Sequence, residues 1–399
     1  MGHSLEKVEL HPISVKSIIK GHPWVTKDEF SLKFPARETF LAGIDRRKNT
    51  FCVLLNDPTH PQIKARVLKT LTPTTEPILF AKKFFMNIVE EKLEKSYNKN
   101  QKLGQERENY YLCFGESDGL PGLFIQKLGP HILIQYYCFT WEKFTMELAK
   151  MIRRHVPHIK SIHLQKRSPG ETSPVNHLWG ESITEFSISE FNIKYHLNFG
   201  QNDVGIYTDM AASRKKLRPL LKDSKSTLNL YAYTGAYSLN ALTCDDSNVY
   251  SVDLSANYLE HLEDNISLNP QLCGNHYSIC ESVNSAVDEF TKSKKSFDLI
   301  ISDPPSFSSD GKKKSRAAEY YKTLLPKLIK LTEAGGHIVA FLNTHQINAR
   351  KFYAEIEKII EKSEREIEIM DKLILGEDCS SYQAFPEGNY LKGLVLKIK

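Results

Sequence analysis

The chain has 399 residues, of which 41% are hydrophobic and 25% charged, with 20 Gly and 18 Pro. These are ordinary globular proportions and exclude wholesale disorder, collagen and a coiled-coil rod; the length suits about two to three domains. The net charge of +5 is unevenly spread: residues 1–100 carry 17 Lys and Arg against 11 Asp and Glu, whereas residues 201–300 carry 9 against 13. A basic opening followed by an acidic segment suits a polyanion-binding module joined to a small-ligand domain.

No apolar run approaches the ~18 residues of a membrane span. The opening MGHSLEKVELHPISVK lacks the apolar stretch of a secretory signal, so no membrane association and a cytoplasmic location are expected. Cys52, Cys113, Cys138, Cys244, Cys273, Cys280 and Cys379 are odd in number and include no C-x-x-C. That pattern predicts neither a disulfide framework nor a bound metal.

In chain order, residues 1–75 read as short β-rich segments, with FCVLL (51–55) and IKARVLKTL (63–71) as strands broken by Asn56-Asp57-Pro58 and Thr72-Pro73. Residues 77–96 carry Phe80, Phe84, Ile88 and Leu93 at helical spacing. Strand-like YYLCFG, GLFIQKLG, HILIQYY, SIHLQK and FNIKYHLNF follow, with a helix at FTMELAKMIRRHV and an exposed loop at RSPGETSPVNHLWGES. Beyond residue 200, strands alternate with helices: STLNLYAY and GAYSLNALT, VYSVDL and ANYLEHLEDNISLN, FDLIISD and AAEYYKTLLPKLIKLT, GHIVAFLN and NARKFYAEIEKIIEKS. IEIMDKLIL and YLKGLVLKI close the chain as an antiparallel pair. Such alternation predicts a doubly wound α/β domain with a largely parallel sheet.

Ligands of such a sheet bind beyond the carboxyl ends of its strands. After the first strand comes Tyr233-Thr234-Gly235-Ala236, a tight turn that lets a ligand approach the backbone; it is not G-x-G-x-x-G, so a dinucleotide fingerprint is missing. The second strand ends in Val252-Asp253-Leu254, where a carboxylate can accept ribose hydroxyls or cap the next helix, a part Ser255 can equally take. Asp303-Pro304-Pro305-Ser306-Phe307 follows FDLIIS: two prolines remove two backbone donors and hold the chain extended, and Phe307 offers a face for stacking on a base. Asp209 and Arg214, in the Gly205-Ile206-Tyr207-Thr208-Asp209 run, would hold the two ends of an amino acid or form an ion pair of their own.

Taken together, these segments resemble the bacterial large-subunit ribosomal RNA methyltransferase I family, whose members depend on S-adenosylmethionine. The resemblance rests on Gly21 to Val25, Ile63 to Val67, Gly115 to Gly122, Gly205/Tyr207/Asp209/Arg214, Leu228 to Gly235, Ser251 to Asp253, Asp303 to Pro305, Tyr321-Lys322, Phe385 to Gly388 and Tyr390 to Gly393. It implies an RNA-binding PUA domain over residues 1–75, a central α+β domain over 76–195, and a Rossmann-like class I methyltransferase domain over 196–399. Cofactor-binding positions would be Tyr207, Asp209, Arg214, Tyr233, Thr234, Gly235, Asp253, Leu254, Glu281, Ser282 and Asp303. RNA would meet His22, Trp24, Lys64, Arg66 and Phe307, with large-subunit rRNA or its precursor as partner; an apolar face on the central domain would allow a homodimer.

Departures from the family pattern shape the expected chemistry. Methylation at cytosine C5 needs a thiolate to add at C6, but the family's cysteine position after Gly335-Gly336 is Asn343. Asn343 at that place, with the Phe307-Ser308 pair after Asp303-Pro304-Pro305, resembles instead the guanine-N7 methylating domain of a related bifunctional rRNA enzyme. A ring-nitrogen lone pair requires only orientation toward the methyl group. The expected reaction is therefore methylation at guanine N7 or another nitrogen, the alternative being 5-methylcytosine formation through Cys379 or Cys280. The adenine-contacting acid is replaced by Ser282 beside Glu281, and the family's Asp-Gln-Arg run reads Asp209-Met210-Ala211. A second reading takes these changes as marks of a ribosome-assembly factor with a vestigial methyltransferase fold.

Overall fold

Continuous apolar strands need cover on both faces, and in the computed structural model, which describes residues 3–168, 171–201, 203–305 and 317–399, the chain provides it in two compact units. The first comprises Met1–Ile188, Asn198–Val204 and Asp378–Gly388; the second comprises Ser189–Leu197, Gly205–Glu377 and Asn389–Lys399.

The first unit begins with β1 (His3–Ser4), β2 (Glu6–Glu9), α1 (Pro12–Ile19), β3 (Trp24–Thr26), β4 (Phe40–Ile44), β5 (Thr50–Asn56) and β6 (Ile63–Thr74). Five of these strands form a sheet in the order β2-β4-β5-β6-β3, and β1 pairs with β7 (Leu79–Phe80). Next come α2 (Lys82–Asn100), β8 (Asn109–Phe114), β9 (Leu123–Leu128), β10 (His131–Tyr136), α3 (Thr145–His155), β11 (Ser161–Ser168), β12 (Glu171–Thr172) and β13 (Asn176–Gly180). They build a second sheet, β12-β11-β10-β9-β8, with β13 on β11. One apolar cluster runs from Phe40, Val53 and Leu55 through Phe85, Val89 and Leu93 to Leu123, Ile125, Ile132 and Ile134.

Two sequence expectations change here. The inward stripe of α2 is Phe85, Met86, Val89 and Leu93; Phe84 is 51% exposed, and Phe80 falls in β7 ahead of the helix. KKFFMNIV offers two stripes one residue apart at the same period, and packing selects the one that meets β8. Within the expected loop RSPGETSPVNHLWGES, Asn176–Gly180 is instead a strand antiparallel to β11.

β14 (Glu185–Glu190) and β15 (Ile193–Asn198) form a two-stranded ribbon. The second unit then runs α4 (Ala211–Asp223), β16 (Ser226–Leu230), α5 (Ala236–Ala241), β17 (Asn248–Asp253), α6 (Ala256–Ser267), β18 (Asn275–Cys280), α7 (Val283–Lys292), β19 (Phe297–Ser302), α8 (Ala317–Leu331), β20 (Thr332–Asn343), α9 (Ala349–Ile360), β21 (Ile367–Leu373) and β22 (Leu391–Ile398). Its sheet is ordered β18-β17-β16-β19-β20-β22-β21. β16 to β20 are parallel, while β22 is antiparallel to both neighbours. Leu299, Ile300 and Ile301 of β19 are all buried, as a central parallel strand between two helical layers requires. Strand order reverses at β16, between β17 and β19, so the crevice of this unit opens at the ends of those three strands.

The choice of stripe in α2 is testable in chemical unfolding. Phe85→Ala should cost about 3–5 kcal/mol, the cost of emptying a packed aromatic site, and Phe84→Ala no more than about 0.5–1 kcal/mol.

Candidate active site

At the end of β16 the chain makes a turn in which Tyr231, Tyr233 and Gly235 all have positive φ, at 60°, 51° and 81°. For two tyrosines this is a sparsely populated conformation costing of order 1–3 kcal/mol each, and it persists only where the surroundings over-determine it. They do. Asp253 Oδ2 accepts the Tyr233 amide at 3.0 Å, Val252 O accepts the Ala232 amide at 3.0 Å, and Gly235 N donates back to Ala232 O at 2.9 Å. The Thr234 hydroxyl donates to Gly205 O at 2.6 Å, Gly205 N donates to the Tyr233 hydroxyl at 3.2 Å, and Asn265 Nδ2 donates to Thr234 O at 3.0 Å. Gly235 has no room for a side chain: a Cβ would stand 2.3 Å from Leu262 Cγ.

Around this turn lies a cavity of about 750 Å³. Toward β17 and β18 it is lined by Asp253, Leu254, Ser255, Tyr258, Ser282 and Val283; toward β19 and β20, by Asp303, Pro304, Pro305 and Asn343. Tyr207, Tyr233 and Tyr258 form a ring array along the wall, with centroids 5.0 and 4.7 Å apart. Asp253 Oδ1 also accepts the Ser255 amide at 2.9 Å, and Ser255 Oγ caps α6 through the Tyr258 amide at 3.3 Å. Each Asp253 oxygen thus takes one backbone donor and retains a further lone pair. Ser282 likewise caps α7 through the Ser285 amide at 3.1 Å.

The other end of the cavity is built on crosslinks. The buried Tyr321 hydroxyl lies 3.0 Å from Ser302 O and 2.9 Å from Phe341 O, joining the strands that precede Asp303 and Asn343. Lys392 is buried with its ammonium on Thr344 O and Tyr390 O, and burial lowers its pKa to about 8. Burial, assisted by the Asp209 carboxylate and opposed by Arg214, raises the Asp303 carboxyl to about 7. Asp303 is therefore a carboxyl poised between its two protonation states near neutrality.

Several expected site residues stand elsewhere. The Arg214 fork is taken by Glu190, with Nε–Oε1 2.6 Å and Nη2–Oε2 2.8 Å, and Nη2 also donates to Tyr207 O at 3.0 Å. Arg214 lines the cavity as one half of this buried ion pair with Glu190. Asp209 accepts from the Tyr390 hydroxyl at 2.5 Å and, like Glu281 and Gly235, is not among the lining residues; Glu281 accepts from the Ser285 hydroxyl at 3.0 Å.

In the first unit, Arg66 is 3% exposed and bound to both Asp57 Oδ2 at 3.0 Å and Glu116 Oε1 at 2.5 Å. Burial opposes its charge, but the two carboxylates outweigh burial and raise its pKa. Trp24 Nε1 donates to the same Glu116 oxygen at 2.7 Å, His22 lies 3.3 Å from Glu387, and Lys64 donates to Pro58 O and His60 O. The expectation that Arg66 binds RNA is thus corrected: its guanidinium is internal and already paired. Trp24, His22 and Lys64 are likewise engaged in holding this unit together. Phe307 lies outside the described residues.

Tyr231, Tyr237, Tyr258, Asn284 and Tyr320 line the cavity without having been expected there. LYAYTGAY does display three of the cavity's tyrosines at i, i+2 and i+6, but no period links them in advance to one wall. Among the described residues no group of three or more His, Cys, Asp and Glu is arranged to hold a metal, and no helix is long and apolar enough to cross a membrane.

A largely parallel sheet, a ligand turn after its first strand, an acid after its second and a cavity at the strand-order switch define a class I methyltransferase fold. Residues 134–372 match the family described as S-adenosylmethionine-dependent methyltransferase. YwbD of Bacillus subtilis is 30% identical over 77% of this chain and 80% of its own length. Ribosomal RNA large subunit methyltransferase I of Shewanella frigidimarina is 27% identical over 72% of this chain and 74% of its own, and the ribosomal RNA large subunit methyltransferase of Deinococcus radiodurans is 25% identical over 95% and 94%. The crystal structure of SMU.776 complexed with SAH has the same fold, with TM-score 0.86, 18% identity and coverage of 98% of this chain and 100% of the other. The chain belongs to the S-adenosylmethionine-dependent large-subunit rRNA methyltransferases. It is an enzyme, and S-adenosylmethionine is its cofactor.

Two outcomes follow for the cavity. Asp253→Ala should weaken S-adenosylmethionine binding about 10- to 100-fold in calorimetry, through loss of a charged acceptor and of the turn it anchors. Because the Asp303 pKa is raised in the folded state from 3.8 to about 7, the folded protein binds more protons between those values, and its stability falls as pH rises through that window. Asp303→Asn should therefore raise the melting temperature by about 2–4 °C at pH 8, with the gain gone at pH 4.

Proposed function

We propose that this enzyme methylates a ring nitrogen of guanine, N7, in large-subunit rRNA. The carrying observation is the composition of one end of the cavity: Asp303, Pro304, Pro305 and Asn343 line it, and among the described residues no cysteine does. Cytosine C5 becomes nucleophilic only after a thiolate adds to C6. Cys379 is buried in the first unit, and Cys280 has its thiol 3.7 Å from Leu254 O at the end of β18. The last residue of β20, Asn343, carries a carboxamide, which forms no such adduct.

The tyrosine array and Asp253 suit a nucleoside with an amino-acid tail: rings for a flat base, a carboxylate for ribose hydroxyls, and a cavity large enough for a molecule of that size. When bound, S-adenosylmethionine supplies an electrophilic methyl group on a sulfonium. Guanine N7 carries an in-plane lone pair, so the protein's work is to orient the ring and exclude water. The Asp303 carboxylate can accept from the N1–H and N2–H of guanine, and Asn343 can both donate and accept.

For the first unit we propose a PUA-like RNA-binding role for residues 1–75, followed by a central α+β domain over 76–195. The 17 basic residues in the first hundred support it, since phosphate contacts supply most RNA affinity. With Arg66 internal, the contacts would fall to exposed cations such as Lys16 and Lys20 at α1 and Arg46 and Arg47 in the turn after β4.

The test uses labelled S-adenosylmethionine and large-subunit rRNA transcribed in vitro, digested to nucleosides and separated by mass. The expected product is 7-methylguanosine, reduced at least about 100-fold by Asp303→Ala; 5-methylcytidine from the wild-type enzyme would overturn the reading.

A further inference from the structure

Tyr237 is 7% exposed and lines the cavity, yet its hydroxyl has no hydrogen-bond partner among the described residues. A buried, unpaired phenol costs stability unless something else in the working enzyme satisfies it. The ring is not adaptable: it packs against the fully buried Phe341, with centroids 5.7 Å apart and planes 27° from parallel. Tyr237 therefore stands in the cavity wall with a donor that the described residues leave unmatched.

Its location says which ligand would match it. The sheet order places Asp253 and Ser282, at the ends of β17 and β18, on one side of β16, and Asp303 and Asn343, at the ends of β19 and β20, on the other. Phe341 belongs to β20, two residues before Asn343, so the Tyr237 ring lies on the reaction side, away from the carboxylate suited to ribose. The charges acting on the phenol are Asp303, Arg214, Glu190 and Asp209, in that order after burial, and together they hold it in its protonated, donating form. Three of the four are acids, and the Arg214 fork is already taken by Glu190. That surrounding disfavours an anionic acceptor such as a carboxylate or phosphate and leaves a neutral carbonyl oxygen as the fitting one.

We propose that the Tyr237 hydroxyl donates to the ring carbonyl, O6, of the target guanine and so is a specificity-determining residue of this enzyme. This rests on the guanine reading above. O6 adjoins N7 on one edge of the purine, so one donor fixed on O6 sets the direction in which N7 faces. Adenine presents an amino group there, which cannot accept from the phenol; cytosine and uracil present no N7.

Tyr237→Phe tests this, because it removes one oxygen and keeps the ring on Phe341. Single-turnover methylation of large-subunit rRNA transcribed in vitro should slow about 10- to 100-fold at saturating cofactor. S-Adenosylmethionine affinity, measured by calorimetry without RNA, should change less than about twofold. The melting temperature of the protein alone should hold or rise, since an unsatisfied hydroxyl has been deleted. A matching loss of cofactor affinity would assign the hydroxyl to the cofactor and overturn the proposal. A lower melting temperature would make it structural, and an unchanged rate would leave it without a substrate contact; each outcome equally overturns the proposal. Failure of the guanine reading itself is seen separately, as a methylated nucleoside other than guanosine from the wild-type enzyme, and removes this inference with it.

Discussion

The second unit depends on a turn that does not favour its own conformation. Tyr231 and Tyr233 adopt backbone angles that side-chain-bearing residues avoid, and only Gly235 among the three positive-φ positions adopts them without strain. What stabilises the turn comes from distant parts of the chain: the carboxylate of Asp253, the carbonyl of Gly205 and the amide of Asn265. The turn has its full set of hydrogen bonds only where β16 and β17 are paired and α6 is docked. Once it forms, it brings the backbone at Gly205, the end of β16 and the end of β17 to one wall of the cavity. A single set of hydrogen bonds thus ties the folding of the sheet to the existence of the site.

The reaction side is held in another way. Strand ends are locked to each other by Tyr321, and a buried ammonium at Lys392 fixes the backbone just beyond Asn343. Burying a lysine without a carboxylate is costly, and its lowered pKa of about 8 reports that cost. Asp303 shows the complementary effect, a carboxyl raised to about 7 by burial and a neighbouring acid. Charges that a folding chain would rather leave in water are gathered at the β19 and β20 end of the cavity, whereas the β17 end relies on Asp253, whose two oxygens each take one backbone amide. Shifted ionisation on one side and satisfied hydrogen bonding on the other fit a division between chemistry and binding.

Much of this architecture was legible from local pattern. Alternating apolar strands and amphipathic helices after residue 200 gave the parallel sheet, since that pattern reports burial on two faces. The positions of Asp253, the last residue of β17, and of Asp303-Pro304-Pro305, directly after β19, could be read from the strand pattern, and that of Thr234-Gly235 from the turn after β16. Partnerships across long sequence distances were not. Glu190, 24 residues before Arg214, captures its guanidinium; Glu116, 50 residues after Arg66, does the same in the first unit. An arginine quoted in a motif looks alike whether it faces a ligand or an internal acid. The stripe of α2 failed for a related reason: Phe84 and Phe85 satisfy the same period, and only the packed neighbour decides between them.

Under the proposed reaction, the lack of a cysteine among the described lining residues and the unpaired phenol of Tyr237 follow one logic. A thiolate mechanism tolerates imprecise placement of the base, because the covalent bond to C6 itself fixes the ring during transfer. A site that attacks through a lone pair has no such tether, and its rate rests on how narrowly the ring is held. Fixed donors and acceptors must then do what a covalent bond does elsewhere. Asp303 on its crosslinked strand end, Asn343 beside the Lys392 clamp and Tyr237 against Phe341 are three polar groups whose supports, rather than their own chemistry, distinguish them from ordinary lining residues. Rigidity on this side of the sheet, to which β19, β20 and α8 contribute through the Tyr321 crosslinks, is what the proposed thiol-free methyl transfer would demand.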